Sequence, residues 1–189
     1  MTQPTTRTHT DNTSIAGKVK LRKIATQNLS QIKVLDCFGG NNNMWKTFDC
    51  AKYYGIEQEK GKGKKNIWAD NKKIIPSLDL SQFNVIDLDS YGIPAAQIDL
   101  CFKNPTLKEG TVIVYTAIGN SMSVLDRTLI KENNLTRLYK ECMCLFNGIG
   151  RDLFHSFLYK KGVRKITFFR IDNDTSFQKE YGFFVVKNS

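Results

Sequence analysis

From residue 32 onward, short runs rich in β-branched and aromatic residues alternate with stretches that carry helical periodicity, and this alternation restricts the fold more than any other feature. "IKVLDCF" (32–38), "YYGIE" (53–57), "NIWAD" (66–70), "FNVIDLD" (83–89), "GTVIVYTAI" (110–118), "RKITFFRI" (164–171) and "YGFFVVK" (181–187) read as seven strands. Residues 41–52, 93–104 and 135–160 read as helical, the last because Leu135, Leu138, Tyr139, Cys142, Leu145 and Phe146 recur at helical intervals. Buried strands separated by helices imply a layered α/β domain with a mostly parallel central sheet. The end breaks the rhythm. "DNDTSFQKE" leaves no room for a crossover helix between the last two runs, so they are expected to form an antiparallel hairpin.

A chain of 189 residues is enough for one domain with its own core, and 41% hydrophobic with 24% charged residues is a globular balance. Residues 1–16 begin "MTQPTTRTHTDNTS", polar and without a signal-peptide core, and are expected to be a flexible tail before a domain at 17–189. No apolar run approaches the roughly 18 residues of a membrane span, which points to a cytoplasmic protein. Cys37, Cys50, Cys101, Cys142 and Cys144 are odd in number and read as reduced thiols. Cys142 and Cys144 have no second pair at zinc spacing and are expected to be core thiols on a helix, so no metal site is expected. The net charge of +10 is gathered in "KVKLRK" (18–23), "KGKGKK" (60–65), Lys72–Lys73 and "YKKGVRK" (159–165), which favours a nucleic-acid partner over solvated faces alone.

In an open α/β sheet, ligands sit beyond the carboxyl ends of the strands. After the first strand come Asp36, Phe38, Gly39 and Gly40, where glycines let a ligand approach the backbone. After the second comes Glu57, about 20 positions beyond Asp36, the distance at which an acid can bond both hydroxyls of a ribose. Asp70 follows the third strand, and "DLDSYGIP" (87–94) ends the fourth. The first turn lacks G-x-G-x-x-G and the chain has no G-x-x-x-x-G-K-[ST], which argues against a dehydrogenase and excludes a P-loop.

These segments resemble the class I S-adenosylmethionine-dependent methyltransferases, over nearly the whole chain from about residue 30. "VLDCFGG" is similar to the family's first motif, "YYGIE" to the acidic second, "NIWAD" to the third and "LKEGTVIVYTAIG" to the fifth-strand segment. "VIDLDSYGIPAAQIDLCF" resembles the D-x-D-P-[FY]-G-x-P segment of tRNA guanine-N2 methyltransferases. The resemblance implies a Rossmann-like three-layer sandwich, S-adenosyl-L-methionine as cofactor, and methylation of an exocyclic amine of an RNA or DNA base. It places Asp89 as catalytic acid and Tyr91 as base-stacking aromatic. On the cofactor side it places Asp36, Gly39, Gly40 and Asn41 near the methionine end, Glu57 on the ribose and Asp70 on the adenine amine, with Phe38 and Asp87 also among the cofactor-binding residues. Ser90 stands where the motif has proline, and Asn41–Asn43 stand where it has glycines or small residues. The alternative is a fold that binds cofactor or nucleic acid in a regulatory or structural role with catalysis impaired. With little room for a target-recognition domain, a homo-oligomer or a partner subunit is a further expectation.

Overall fold

The structure, a computed structural model, describes residues 15–41, 43–63, 66–120, 125–172 and 177–187. One seven-stranded sheet runs β3-β2-β1-β4-β5-β7-β6, built from β1 (Ile32–Asp36), β2 (Cys50–Glu57), β3 (Asn66–Trp68), β4 (Val85–Asp89), β5 (Val112–Asn120), β6 (Thr167–Asp172) and β7 (Phe177–Val185). The pairs among β1 to β5 are parallel, whereas β7 lies antiparallel to both β5 and β6. The expected Rossmann-like sheet with its C-terminal hairpin is therefore present. The hairpin is longer than expected, because Phe177 to Glu180 continue β7 rather than forming loop; residues 173–176 lie outside the described residues.

Side chains of a strand alternate between faces, and each face here has its own core. Leu35, Ile86, Leu88, Ile113 and Tyr115 pack on one side against Ile98 of α3 (Ala95–Lys103) and Phe154, Phe157 and Leu158 of α6 (Gly150–Lys160). Their neighbours Val34, Val85, Val112 and Val114 face the other way, toward Leu21 of α1 (Ile15–Thr26) and Trp45.

The two layers are unequal. The connection from β1 to β2 was expected to carry a helix over 41–52, but the chain turns instead, with Phe48 N–H bonded to the Trp45 carbonyl, and β2 already starts at Cys50. Met44, Trp45 and Phe48 mimic helical spacing, yet the preceding asparagines compete for backbone bonds and disfavour a helix. Residues 58–63, leading toward β3, carry no helix either. On the opposite layer the stretch 135–160 is broken rather than continuous. α4 (Arg127–Glu132) precedes α5 (Thr136–Glu141), a 3₁₀ turn covers Met143–Phe146, and Gly148 at φ +79° reverses the chain before α6. The Asn147–Gly148 pair is a turn signal that the apolar spacing overrode. Cys142 and Cys144 sit in this break and are exposed, unlike the core thiols expected there; Cys37 and Cys101 are buried. A short α2 (Asn71–Ile74) completes the helices among the described residues.

α1 was not expected, and it defines the sparse layer. Its residues Lys18, Leu21, Arg22 and Thr26, spaced three and four apart, are buried against the sheet. Ile15 and Ala16, assigned to the tail from sequence, belong to this helix, and the rest of that tail lies outside the described residues. Arg22 is 1% exposed and grips Asp87 of β4 with two bonds, Nε to Oδ2 and Nη2 to Oδ1, both 2.8 Å. Trp45 Nε1 donates to the same Oδ2 at 2.7 Å. No helix among the described residues is long and apolar enough to cross a membrane.

Removing one partner of a buried ion pair strands the other, at about 3–5 kcal/mol. We expect Arg22→Met to lose that much in urea unfolding. The double variant Arg22→Met/Asp87→Asn, which keeps an acceptor for Trp45 without a stranded charge, should recover at least part of it. A loss below about 1 kcal/mol in the single variant would show that Arg22 does not anchor the helix.

Candidate functional site

The carboxyl ends of β1 and β4 lie side by side, with Asp36 opposite Asp87, and the loops that follow them diverge. Between these loops and the start of α1 opens a cavity of about 240 Å³. Phe38, Gly39, Gly40 and Asn41 form one wall, and Asp89, Ser90 and Tyr91 form another. Lys18 and Tyr181 also line it. Six of the residues singled out from sequence for cofactor or acceptor thus share one cavity: Phe38, Gly39, Gly40, Asn41, Asp89 and Tyr91.

The first wall is shaped by a residue that sequence reasoning missed. The Asn66 carboxamide donates to the Gly40 carbonyl at 2.8 Å and to that of Lys62 at 3.2 Å. A Cβ on Gly39 would stand 2.5 Å from the Asn66 Oδ1, and one on Gly55 would clash with the same atom. These glycines are small to admit Asn66. Gly40, at φ +47°, takes the left-handed turn. Asn41 and Asn43 do not, although asparagine suits that conformation, and Asn42 lies outside the described residues. Asn43 instead accepts from Lys46 Nζ at 2.7 Å.

Glu57 ends β2 beneath this loop. Its Oε2 accepts from Gly40 N–H and its Oε1 from Glu59 N–H, both at 2.9 Å. Each oxygen keeps a lone pair for another donor. Asp70 caps α2 by accepting from Lys72 N–H at 2.9 Å, and lies outside the cavity lining. The neighbouring Trp68 is 53% exposed, so neither a core role nor burial describes it.

Asp36 and Asp87 sit below the cavity rather than in its wall. Asp36 is buried, with Oδ1 accepting from Phe38 N–H at 3.2 Å and Oδ2 from the Tyr53 hydroxyl at 3.0 Å. Burial pushes its carboxyl up to about 8, the Asp87 charge adds to this, and Arg22 and the two bonds oppose it. Asp87 is fully buried and committed to Arg22 and Trp45.

Asp89 is the charged centre of the second wall. Lys18 Nζ reaches both its oxygens, at 2.7 and 3.0 Å, and the Thr116 hydroxyl donates to Oδ1 at 2.6 Å. Arg22 Nη2 stands 3.6 Å from Oδ2. Burial disfavours ionisation, but the Arg22 and Lys18 charges together with these bonds outweigh it and hold the carboxyl below its usual range. At neutral pH it is a fixed carboxylate.

Ser90 does by hydrogen bonds what a proline would do by its ring. Its hydroxyl lies 3.1 Å from both the Gly92 and Thr116 carbonyls, and its N–H donates to the Leu88 carbonyl at 2.9 Å. Ile118 N–H closes onto the Gly92 carbonyl at 2.9 Å, tying the turn to β5. Tyr91, 75% exposed, is left projecting at the rim. In sequence Lys18 and Arg22 belong to the basic cluster of residues 18–23, and their i, i+4 spacing with Leu21 between is the signal for an inward helical face.

No protein-family model and no curated protein matches the sequence. Solved structures do. A SAM-dependent methyltransferase from Archaeoglobus fulgidus superposes with a TM-score of 0.57 at 14% identity, covering 90% of this chain and 93% of its own. A candidate methylase from Haemophilus influenzae gives 0.51 at 12%, covering 89% and 87%. The N-terminal domain of EvdMO1, solved with SAH and D-fucose, gives 0.56 at 9%, covering 94% and 84%. The chain therefore has the fold of SAM-dependent methyltransferases. These neighbours do not extend the likeness to tRNA guanine-N2 enzymes or to nucleic acid.

Between the ordinary carboxylate range near pH 4 and about pH 8, the native chain keeps a proton on Asp36 that the unfolded chain has released. This group's contribution makes stability fall as pH rises through that window and levels off above it. Urea midpoints measured from pH 5 to 8 should decline more steeply for the wild type than for Asp36→Asn. Equal slopes would show that Asp36 ionises normally.

Proposed function

We propose that this chain is an S-adenosyl-L-methionine-dependent methyltransferase acting on an exocyclic amine of a nucleic-acid base, RNA or DNA. The observation that carries the reading is the Asp89 carboxylate, held ionised and oriented in a cavity whose facing wall is the glycine turn after β1. The residues present suit the cofactor. Glu57 retains acceptor capacity for two adjacent hydroxyls, Asp70 keeps a carboxylate oxygen beyond its capping bond, and Gly39 and Gly40 leave backbone uncovered. Phe38 and Asn41 would flank the methionine end. Asp36 and Asp87 would act from beneath it, by shaping the turn rather than by contact.

When bound, the cofactor supplies a methyl group already activated by a sulfonium. The protein's task is then alignment, which can supply on the order of 7–11 kcal/mol. Asp89 would accept an N–H of the incoming amine, turning its lone pair toward the methyl and dispersing the positive charge that develops on nitrogen. Because the Arg22 and Lys18 charges, with the bonds from Lys18 and Thr116, keep its proton affinity low, Asp89 would act as an acceptor and the proton would leave to solvent. Tyr91, projecting at the rim beside Asp89, would stack on the base, which in a duplex must first be flipped out. The net charge of +10 suits a phosphate-bearing acceptor.

A second reading has its own observation. Asp89 already receives three bonds from Lys18 and Thr116, and a carboxylate so occupied fits a chain that binds cofactor or nucleic acid without turnover.

Calorimetric titration with S-adenosylmethionine and S-adenosylhomocysteine separates these. Binding should be lost in Glu57→Ala and retained in Asp89→Asn, while methyl incorporation into nucleic acid falls about 10²–10³-fold in Asp89→Asn. Cofactor binding with no incorporation by the wild type would favour the second reading. No binding at all would overturn both as cofactor-dependent functions.

A further inference from the structure

Among the described residues, the sheet face opposite α3 and α6 is incompletely covered. Crossovers between parallel strands ordinarily place helices over the sheet, yet neither the β1–β2 connection nor residues 58–63 carries one. The result is a groove of about 860 Å³ over β2. Its floor is aromatic: Trp45, Phe48 and Tyr53, with Trp68 standing at one side. Trp68 is 53% exposed, with its Nε1 held toward the Lys62 carbonyl at 3.4 Å. Gly61 and Gly63 line the groove beside it and bring no side chain.

The border is basic. Lys46 lines the groove, its ammonium bonded to the neutral Asn43 carboxamide. Lys60 and Lys62 alternate with the two lining glycines, Lys62 being paired with Glu59 at 2.7 Å, and Asp49 is the acid in the lining. Asn41 lines both this groove and the Asp89 cavity, so the two adjoin at that residue.

We propose that this groove holds the single-stranded nucleic acid that flanks the base presented to Asp89, with a flanking base stacked on Trp68 and its phosphates beside Lys46 and Lys60. Aromatic rings that stack on bases, bordered by cations that follow the backbone, are the general means of binding single strands. A covering helix or a second copy of the chain would need an apolar surface; here lysines border the aromatic floor and the whole chain is strongly positive. The proposal rests on the nucleic-acid reading of the Asp89 cavity and adds where the rest of the strand lies.

The test uses the chain's two tryptophans, of which Trp45 is buried. The full chain is titrated with oligothymidylate and oligouridylate of roughly 12 nucleotides, following tryptophan fluorescence at several salt concentrations. Quenching is expected, with affinity reduced at least about 5-fold by Trp68→Ala. Lys46→Glu/Lys60→Glu should weaken binding and flatten its salt dependence. Circular dichroism confirms that each variant is folded. Wild-type binding that both variants retain within about 2-fold overturns the groove while leaving a nucleic-acid acceptor intact. Absence of binding to either oligonucleotide overturns the groove and the nucleic-acid acceptor together. A change of oligomeric state in Trp68→Ala, with oligonucleotide affinity unchanged, overturns the proposal and assigns the face to a second copy.

Discussion

The buried contact between Arg22 and Asp87 organises this molecule. It joins an N-terminal helix to the central strand of the sheet by two 2.8 Å bonds, and the indole of Trp45 completes the set. A buried charge is tolerated only when paired and hydrogen-bonded. Asp87 satisfies this with a guanidinium fork and a ring N–H from two different segments. One carboxylate thus fixes the position of α1, the path of the β1–β2 connection and the end of β4. The Arg22 guanidinium also lies 5.9 Å from the Trp45 ring, so the three groups pack as one unit.

A second ion pair lies one residue pair further along. Lys18 lies one helical turn before Arg22, and Asp89 two residues after Asp87 on the same face of the strand. The same helix that anchors the fold therefore carries a cation to the cavity carboxylate. Charge balance follows. Asp87 and Asp89 are answered by Arg22 and Lys18, whereas burial, with the Asp87 charge beside it, pushes the third acid, Asp36, toward its neutral form against the pull of Arg22. Structure and site cannot be separated in this region, because the ion pairs that hold α1 in place also set the protonation of the groups around the cavity.

Much of the fold was legible because strand alternation reports burial directly. All seven strands were found from β-branched runs, and the hairpin from the short polar turn before "YGFFVVK". Two of the failures share a cause. Apolar spacing in 41–52 and 135–160 matched a helix, but it could not reveal that Trp45 turns inward to Asp87, or that Asn147–Gly148 breaks the chain. α1 was missed for the opposite reason: its inward face carries Lys18 and Arg22, and basic residues read as solvent-facing unless their acidic partners are known. The residues singled out at two of the strand ends lie together. The motif positions from Phe38 to Asn41 and from Asp89 to Tyr91 do meet in one cavity. What no motif could supply was Asn66, whose carboxamide explains two glycines from a strand away, and the bonds by which Ser90 holds its turn.

On the function proposed above, the loops after β1, β2 and β4 form one cofactor and acceptor site locked by α1. The most direct measurement is an amide NMR titration of the labelled full chain with S-adenosylhomocysteine. Chemical-shift changes are expected to concentrate at Phe38–Asn41, Glu57 and Asp89–Tyr91, with Lys18 responding through its contact to Asp89. Changes confined to the groove over β2, or none at saturating ligand, would contradict that site.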